Sequence, residues 1–143
     1  MKHDLLKTIT LVVNGKEMVI DVQKEFNVSG DSLEKVPVNL GYLVALQNLV
    51  LKELYKARNA KDIYYSNQFG IIKGDYEGSR PPSDETVKTE IMDDVKYQKL
   101  LKKSQDCQAN YDLVSGLLES YKIRTEVLRT LSANQRKEMD RFS

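Results

Sequence analysis

The chain of 143 residues has no tryptophan and only three phenylalanines, three prolines, one cysteine and one histidine. Each scarcity removes a class of protein. A single cysteine, Cys107, cannot close an internal disulfide, so a cross-linked secreted scaffold is excluded and a reducing compartment is expected. Its plainest role is that of a small packed apolar residue. Acid–base and nucleophilic catalysis need tuned groups converging in a cleft. His3 lies at a terminus prone to fray, and Cys107 has no basic neighbour in sequence to lower its pKa, so no enzyme is expected. No window reaches membrane-spanning length, and Met1-Lys2-His3-Asp4 leads into a strand-like run rather than the apolar core of a signal peptide. A cytoplasmic protein away from membranes is the expectation, under which the sequon Asn27-Val28-Ser29 is a chance match.

What the chain does have is charge, at 30% of residues, against 41% hydrophobic ones. That balance suits exposed amphipathic helices better than a thick core, and association of copies would supply the missing burial. The formal net charge of +1 hides segregation. Residues 1–38 sum to about −1, 39–74 to about +3, 75–95 to about −5 and 96–143 to about +4. Two basic stretches therefore flank an acidic connector.

Along the chain, Thr8-Ile9-Thr10-Leu11-Val12-Val13, the pair Asn14-Gly15 and Met18-Val19-Ile20-Asp21-Val22 predict a β-hairpin. Asn-Gly supplies the positive φ angles of a two-residue turn. Residues 26–37 read as a linker, so that 1–37 forms a hairpin-and-linker segment and 38–143 a helical domain. Asn39 is a candidate cap for a helix from Gly41 to about Gln68, whose apolar stripe is Leu43, Leu46, Val50, Leu54, Ala57 and Tyr64. Gly70, Gly74 and Gly78, then Ser79-Arg80-Pro81-Pro82, predict the main loop, neither a phosphate-cradling motif nor a membrane dimer motif. Ser83 opens a short acidic helix through Asp94. A long helix from about Lys96 to Leu131 carries a seven-residue repeat in two registers. One is Leu100, Cys107, Val114, Tyr121 and Leu128, and the other is Tyr97, Ser104, Tyr111, Leu118 and Thr125. Ser132 with Gln135 forms a capping-box pattern, predicting a break and a short final helix over 133–141. The fold class is thus mainly α: antiparallel long helices with an N-terminal β-hairpin and a short C-terminal helix, assembling as a homo-oligomer. Leu100, Tyr111, Val114, Leu118, Tyr121 and Leu128 are the candidate oligomerisation residues.

Asp84, Glu85, Glu90, Asp93 and Asp94 stretch along a helix rather than around a loop, so a solvated face is expected and no metal or other cofactor. Basic residues carry more. Lys52, Lys56, Arg58 and Lys61 lie on the first long helix, and Lys122, Arg124 and Arg129 fall among the basic residues of the C-terminal third. Phosphates attract such side chains whatever the base. Tyr55, Tyr64, Tyr65 and Tyr76 accompany them, and exposed tyrosine rings stack on unpaired bases without reading sequence. Tyr64 falls on the apolar stripe and is expected to pack, whereas Tyr65 and Tyr76 are freer to face a ligand. Composition leaves three functions open: single-strand binding, a structural or scaffolding role built on helix assembly, and a helical protein–protein adaptor.

Three segments resemble the UvsY family of phage recombination mediators. Lys56-Ala57-Arg58 followed by Tyr64-Tyr65-Ser66 is similar to the family's basic-aromatic segment, with five residues, Asn59 to Ile63, between the two parts here. Asp94-Val95-Lys96-Tyr97-Gln98 resembles the family's link into its long second helix, and Ser120-Tyr121-Lys122-Ile123-Arg124 through Leu131 resembles its basic end. The resemblance spans about residues 38 to 138. It implies a phage protein acting in the host cytoplasm as a ring-shaped homo-oligomer. Such a protein binds single-stranded DNA without sequence preference, displaces a single-strand DNA-binding protein and helps load a RecA-like recombinase.

Overall fold

The computed structural model describes residues 8–21, 34–78 and 80–142. His3, the sequon at Asn27, most of the expected linker, Val22 and Ser79 lie outside them. Two strands, β1 (Thr8–Val13) and β2 (Lys16–Asp21), are followed by three helices: α1 (Val36–Gly74), α2 (Asp84–Asp93) and α3 (Val95–Phe142). The fold is mainly α with an N-terminal hairpin and long helices, as the periodicities predict.

The hairpin pairs antiparallel with Val13 opposite Lys16, leaving Asn14-Gly15 as a two-residue turn. Both residues have positive φ, 53° and 75°, the mirror-image turn that matches the twist of the strands. Alternation then sends Leu11, Val13 and Ile20 inward and leaves Val12 and Val19 exposed.

Contacts divide the chain into two compact units. The first joins the hairpin and the beginning of α1, up to Val50, to α3 from Tyr111 onward. Its core is Leu11, Val13 and Ile20 from the hairpin, Val36, Leu43, Leu46 and Val50 from α1, and Val114, Leu118 and Tyr121 from α3. The hairpin is therefore an integral layer of this unit, and the division expected near residue 37 runs through a shared core. Two hydrogen bonds fix the helix directions here: Asn39 Nδ2 donates to the Tyr121 hydroxyl (3.1 Å) and Gln47 Nε2 to Ser115 Oγ (3.0 Å). Position rises along one helix as it falls along the other, so the packing is antiparallel.

The second unit comprises Leu51–Asn110. Val87 and Ile91 of α2 and Tyr97 of α3 form its buried cluster, with Tyr64, Tyr65, Phe69, Ile72 and Leu101 packed against it. Ser83 caps α2, its Oγ accepting from the Thr86 amide at 3.2 Å. Asp94, in extended conformation, ends α2 and begins α3, and its Oδ1 accepts from the amides of Lys96 (2.8 Å) and Tyr97 (3.4 Å). One residue thus makes the corner between two helices.

Three expectations are corrected. α1 begins at Val36, before the candidate cap Asn39, because Pro37 in a first turn forfeits no intrahelical donor. It also continues through Gly70 to Gly74. An isolated helical glycine costs about 1 kcal/mol relative to alanine, which the neighbouring Phe69 and Ile72 offset by packing on the second cluster. α3 runs unbroken to Phe142, so there is no separate C-terminal helix. A Ser-x-x-Gln pattern favours a start only where a helix has stopped, and residues 117–143 contain neither glycine nor proline to stop it.

Candidate nucleic-acid interface

In the second unit α1 presents its apolar stripe inward through Leu54 and Ala57. Residues half a turn away necessarily face solvent. Lys52, Tyr55, Lys56 and Asn59 occupy that outer face, at spacings of three and four residues that place their side chains side by side, and all four are exposed. Exposed Lys56 has its Nζ 3.7 Å from half-buried Glu53 one turn back, a long contact that leaves the rest of the ammonium open to solvent.

Arg58 is exposed but sits on the flank of the helix, where its guanidinium donates to the Gln108 side-chain oxygen. That bond leaves the positive charge unneutralised. Lys61 is half-buried, on the side of the stripe, with Nζ 3.8 Å from Asp62. Of the four α1 cations singled out by sequence, Lys52 and Lys56 share the open face, Arg58 borders it and Lys61 turns from it.

Tyr65 is a correction. It does not face solvent but lies half-buried in the second cluster, its ring centroid 6.2 Å from Phe69 and 5.9 Å from Tyr97. A single stripe suffices for a helix with one neighbour; α1 here meets both α2 and the beginning of α3 and must cover a wider arc. Tyr65, Phe69 and Ile72, spaced by four and three, are that second stripe. Tyr64 packs as expected, and its hydroxyl donates to Asp94 Oδ2 at 2.6 Å. The Tyr-Tyr segment and the Asp94-Val95-Lys96-Tyr97 segment, far apart in sequence, therefore meet as one clamp: Asp94 caps α3 with one oxygen and holds α1 with the other.

Electrostatics follow that geometry. The Tyr64 hydroxyl, then the backbone amides of Lys96 and Tyr97, hold the Asp94 carboxyl below the usual aspartate value against the opposing effect of burial. Donating to a carboxylate raises the Tyr64 hydroxyl above its usual value, and burial raises that of Tyr97. Lys96 Nζ lies 5.1 Å above the Tyr64 ring. Of the acidic residues expected to be solvated, Asp84 pairs with Lys73 at 2.5 Å and Asp94 is the cap just described. Among the described residues no three His, Cys, Asp or Glu gather to hold a metal ion. Burial, then Glu53, raises the Cys107 thiol, which disfavours the nucleophilic thiolate.

In the first unit Lys122, Arg124 and Arg129 are exposed on α3, Arg129 lying 3.9 Å from Glu126. Every position of both seven-residue registers is buried or half-buried. Ser104 and Thr125, the polar members, donate to their own helix at Leu101 O (2.8 Å) and Tyr121 O (2.9 Å), so their burial leaves no orphaned hydroxyl. Within single units this seam is filled from the same chain: Val114, Leu118 and Tyr121 are in the first core with Tyr111 packed against it. Val114, Leu118 and Tyr121 are thus buried within the chain, and Tyr111 is half-buried beside them. Leu100 and Leu128 remain half-buried.

Two features were not singled out in sequence, where Tyr55 stood only as one of four accompanying tyrosines. Tyr55, between two lysines and one position off the stripe at Leu54, is the aromatic on the basic outer face. On α3, Leu113, Gly116, Ser120, Ile123, Val127 and Leu131 recur at intervals of three and four along solvent, the last three apolar residues each more than half exposed (55, 53 and 52%). Comparison of the chain with protein families, with curated proteins and with solved structures finds no match to any of them.

Proposed function

We propose that this protein binds single-stranded DNA without sequence preference as a homo-oligomer, and serves as a phage recombination mediator in the manner of the UvsY family it resembles. One observation carries the binding: Lys52, Tyr55 and Lys56 form an exposed basic-aromatic face on α1, on a chain whose net charge is close to neutral. Lysines on such a face neutralise phosphates, and counterions released from the strand provide the affinity. Lys122, Arg124 and Arg129 on α3 add sequence-independent phosphate contacts.

Assembly is assigned to the exposed stripe of α3, from Leu113 through Ile123 and Val127 to Leu131, in place of the seam already occupied within the chain. A ring of copies converts successive contacts with one strand into intramolecular events and raises avidity without new chemistry. A strand held in this way is available to a RecA-like recombinase, and a resident single-strand DNA-binding protein is displaced by competition. None of this requires a nucleotide or metal site.

The same α3 stripe also favours a second reading, a purely structural or scaffolding protein whose charges only keep its helices soluble. Salt dependence separates the two. Binding of a labelled oligo(dT) is expected to weaken steeply with salt, and Lys52→Ala with Lys56→Ala together to reduce the log–log slope by about 1 to 1.5, at ~0.7 per phosphate contact on a single strand. Retained assembly with no salt-dependent binding would favour the scaffold.

A further inference from the structure

Resting on the single-strand reading above, the structure carries a statement about how paired and unpaired strands are told apart. All eight tyrosines lie among the described residues. Tyr64, Tyr65, Tyr97, Tyr111 and Tyr121 belong to or pack against the two cores, and the Tyr42 hydroxyl is turned to Met18 Sδ at 3.8 Å. Tyr76 is open to solvent but lies between Asp75 and Glu77, whose charges repel phosphate. Tyr55 differs from all of these. It is 55% exposed and held on the middle of a long helix, with Lys52 three residues before it and Asn59 four after it alongside, and Lys56 next to Lys52 on the same outer surface.

We infer that Tyr55 is a stacking platform for an unpaired base, with Lys52 and Lys56 alongside it on the outer surface of α1 to hold the phosphates. The lysines act on any polyanion, because they sense charge alone. A tyrosine ring contributes only where a base face is free of its neighbours, which a duplex does not offer and a single strand does. Preference for unpaired strands then arises from one aromatic side chain, and affinity for nucleic acid in general from the charges around it. The helix supplies rigidity, so little backbone freedom is lost when the base docks.

The absence of tryptophan gives a direct test. Tyr55→Trp places a single indole at the site in the whole 143-residue chain. Its emission is expected to be quenched by oligo(dT) and unchanged by an abasic oligonucleotide of equal length, although anisotropy of a label on each strand shows both to bind. Tyr55→Ala is expected to weaken oligo(dT) binding about fivefold or more, the lower end of what stacking on one aromatic contributes, while abasic binding and the salt slope stay as in the unaltered protein. Tyr55→Phe is expected to retain oligo(dT) affinity. Binding of both strands with an unmoved indole, or equal oligo(dT) affinity in Tyr55→Ala, overturns the assignment of Tyr55 alone. If the unaltered protein takes up neither strand, the single-strand reading falls and the platform with it.

Discussion

The two units of this chain are built from the same two long helices yet held by different chemistry. The first is an apolar layer, with hairpin, α1 and α3 closing on Leu11, Ile20, Val36, Leu43 and Val114, all of them essentially removed from water. The second buries Leu54 and Ala57 of α1 and the cluster of Val87, Ile91 and Tyr97, and adds half-buried aromatics, the Tyr64–Asp94 clamp and the Lys73–Asp84 pair. Burial of hydrocarbon has no directional requirement and no dependence on pH. A carboxylate that caps one helix and ties another has both. The contrast teaches that the first unit is a foundation, whereas the second orders its helices through polar contacts while it carries the proposed basic-aromatic face.

Truncation in the first unit has the largest expected effect. Leu43→Ala removes a fully buried side chain and is expected to cost about 2–5 kcal/mol in urea unfolding. A cost below about 1 kcal/mol would show that the apolar layer does not dominate this unit.

In the second unit the sharper probe is acid. Because the Asp94 carboxyl titrates lower in the folded chain than in the unfolded one, its contribution is fully present above the ordinary aspartate range. It is lost as pH falls through the depressed folded value, that is, below about pH 4. Tyr64→Phe removes the first of the causes of that depression. The variant is expected to be less stable near neutrality and to lose less stability than the parent between about pH 5 and pH 2, as followed by thermal melts. Parallel acid limbs in the two proteins would contradict the clamp.

The smallest expected change is a gain. Gly70 lies inside α1, and a Cβ added there meets nothing within 4 Å. Gly70→Ala is expected to stabilise by about 0.5–1 kcal/mol through lost freedom of the unfolded chain, again read by urea unfolding. Destabilisation would mean that the end of α1 requires the glycine.

Much of the fold was legible because strong periodicities leave few alternatives. Asn14-Gly15 between two β-branched runs gave the hairpin and its register, and the seven-residue repeat from Tyr97 to Leu128 marked the buried face of α3. What a repeat does not encode is who fills it. Val114, Leu118 and Tyr121 read the same whether they face a second copy or their own chain, and the hairpin and α1 claim them here. Helix ends were less legible, since Pro37 and Gly70 are breakers in isolation and tolerable in context. Of the candidate interface, Lys52 and Lys56 were evident from charge and spacing. Tyr65 is packed rather than open because the arc that α1 buries depends on α2, a neighbour that the stripe alone does not reveal.

The central claim, that copies of this chain together hold a single strand, is tested most directly by particle mass in solution at low salt with and without oligo(dT). The expected result is a species several times the 16.4 kDa of one chain that gains the mass of bound oligonucleotide. A particle of one chain's mass, unchanged when the strand is added, would contradict it.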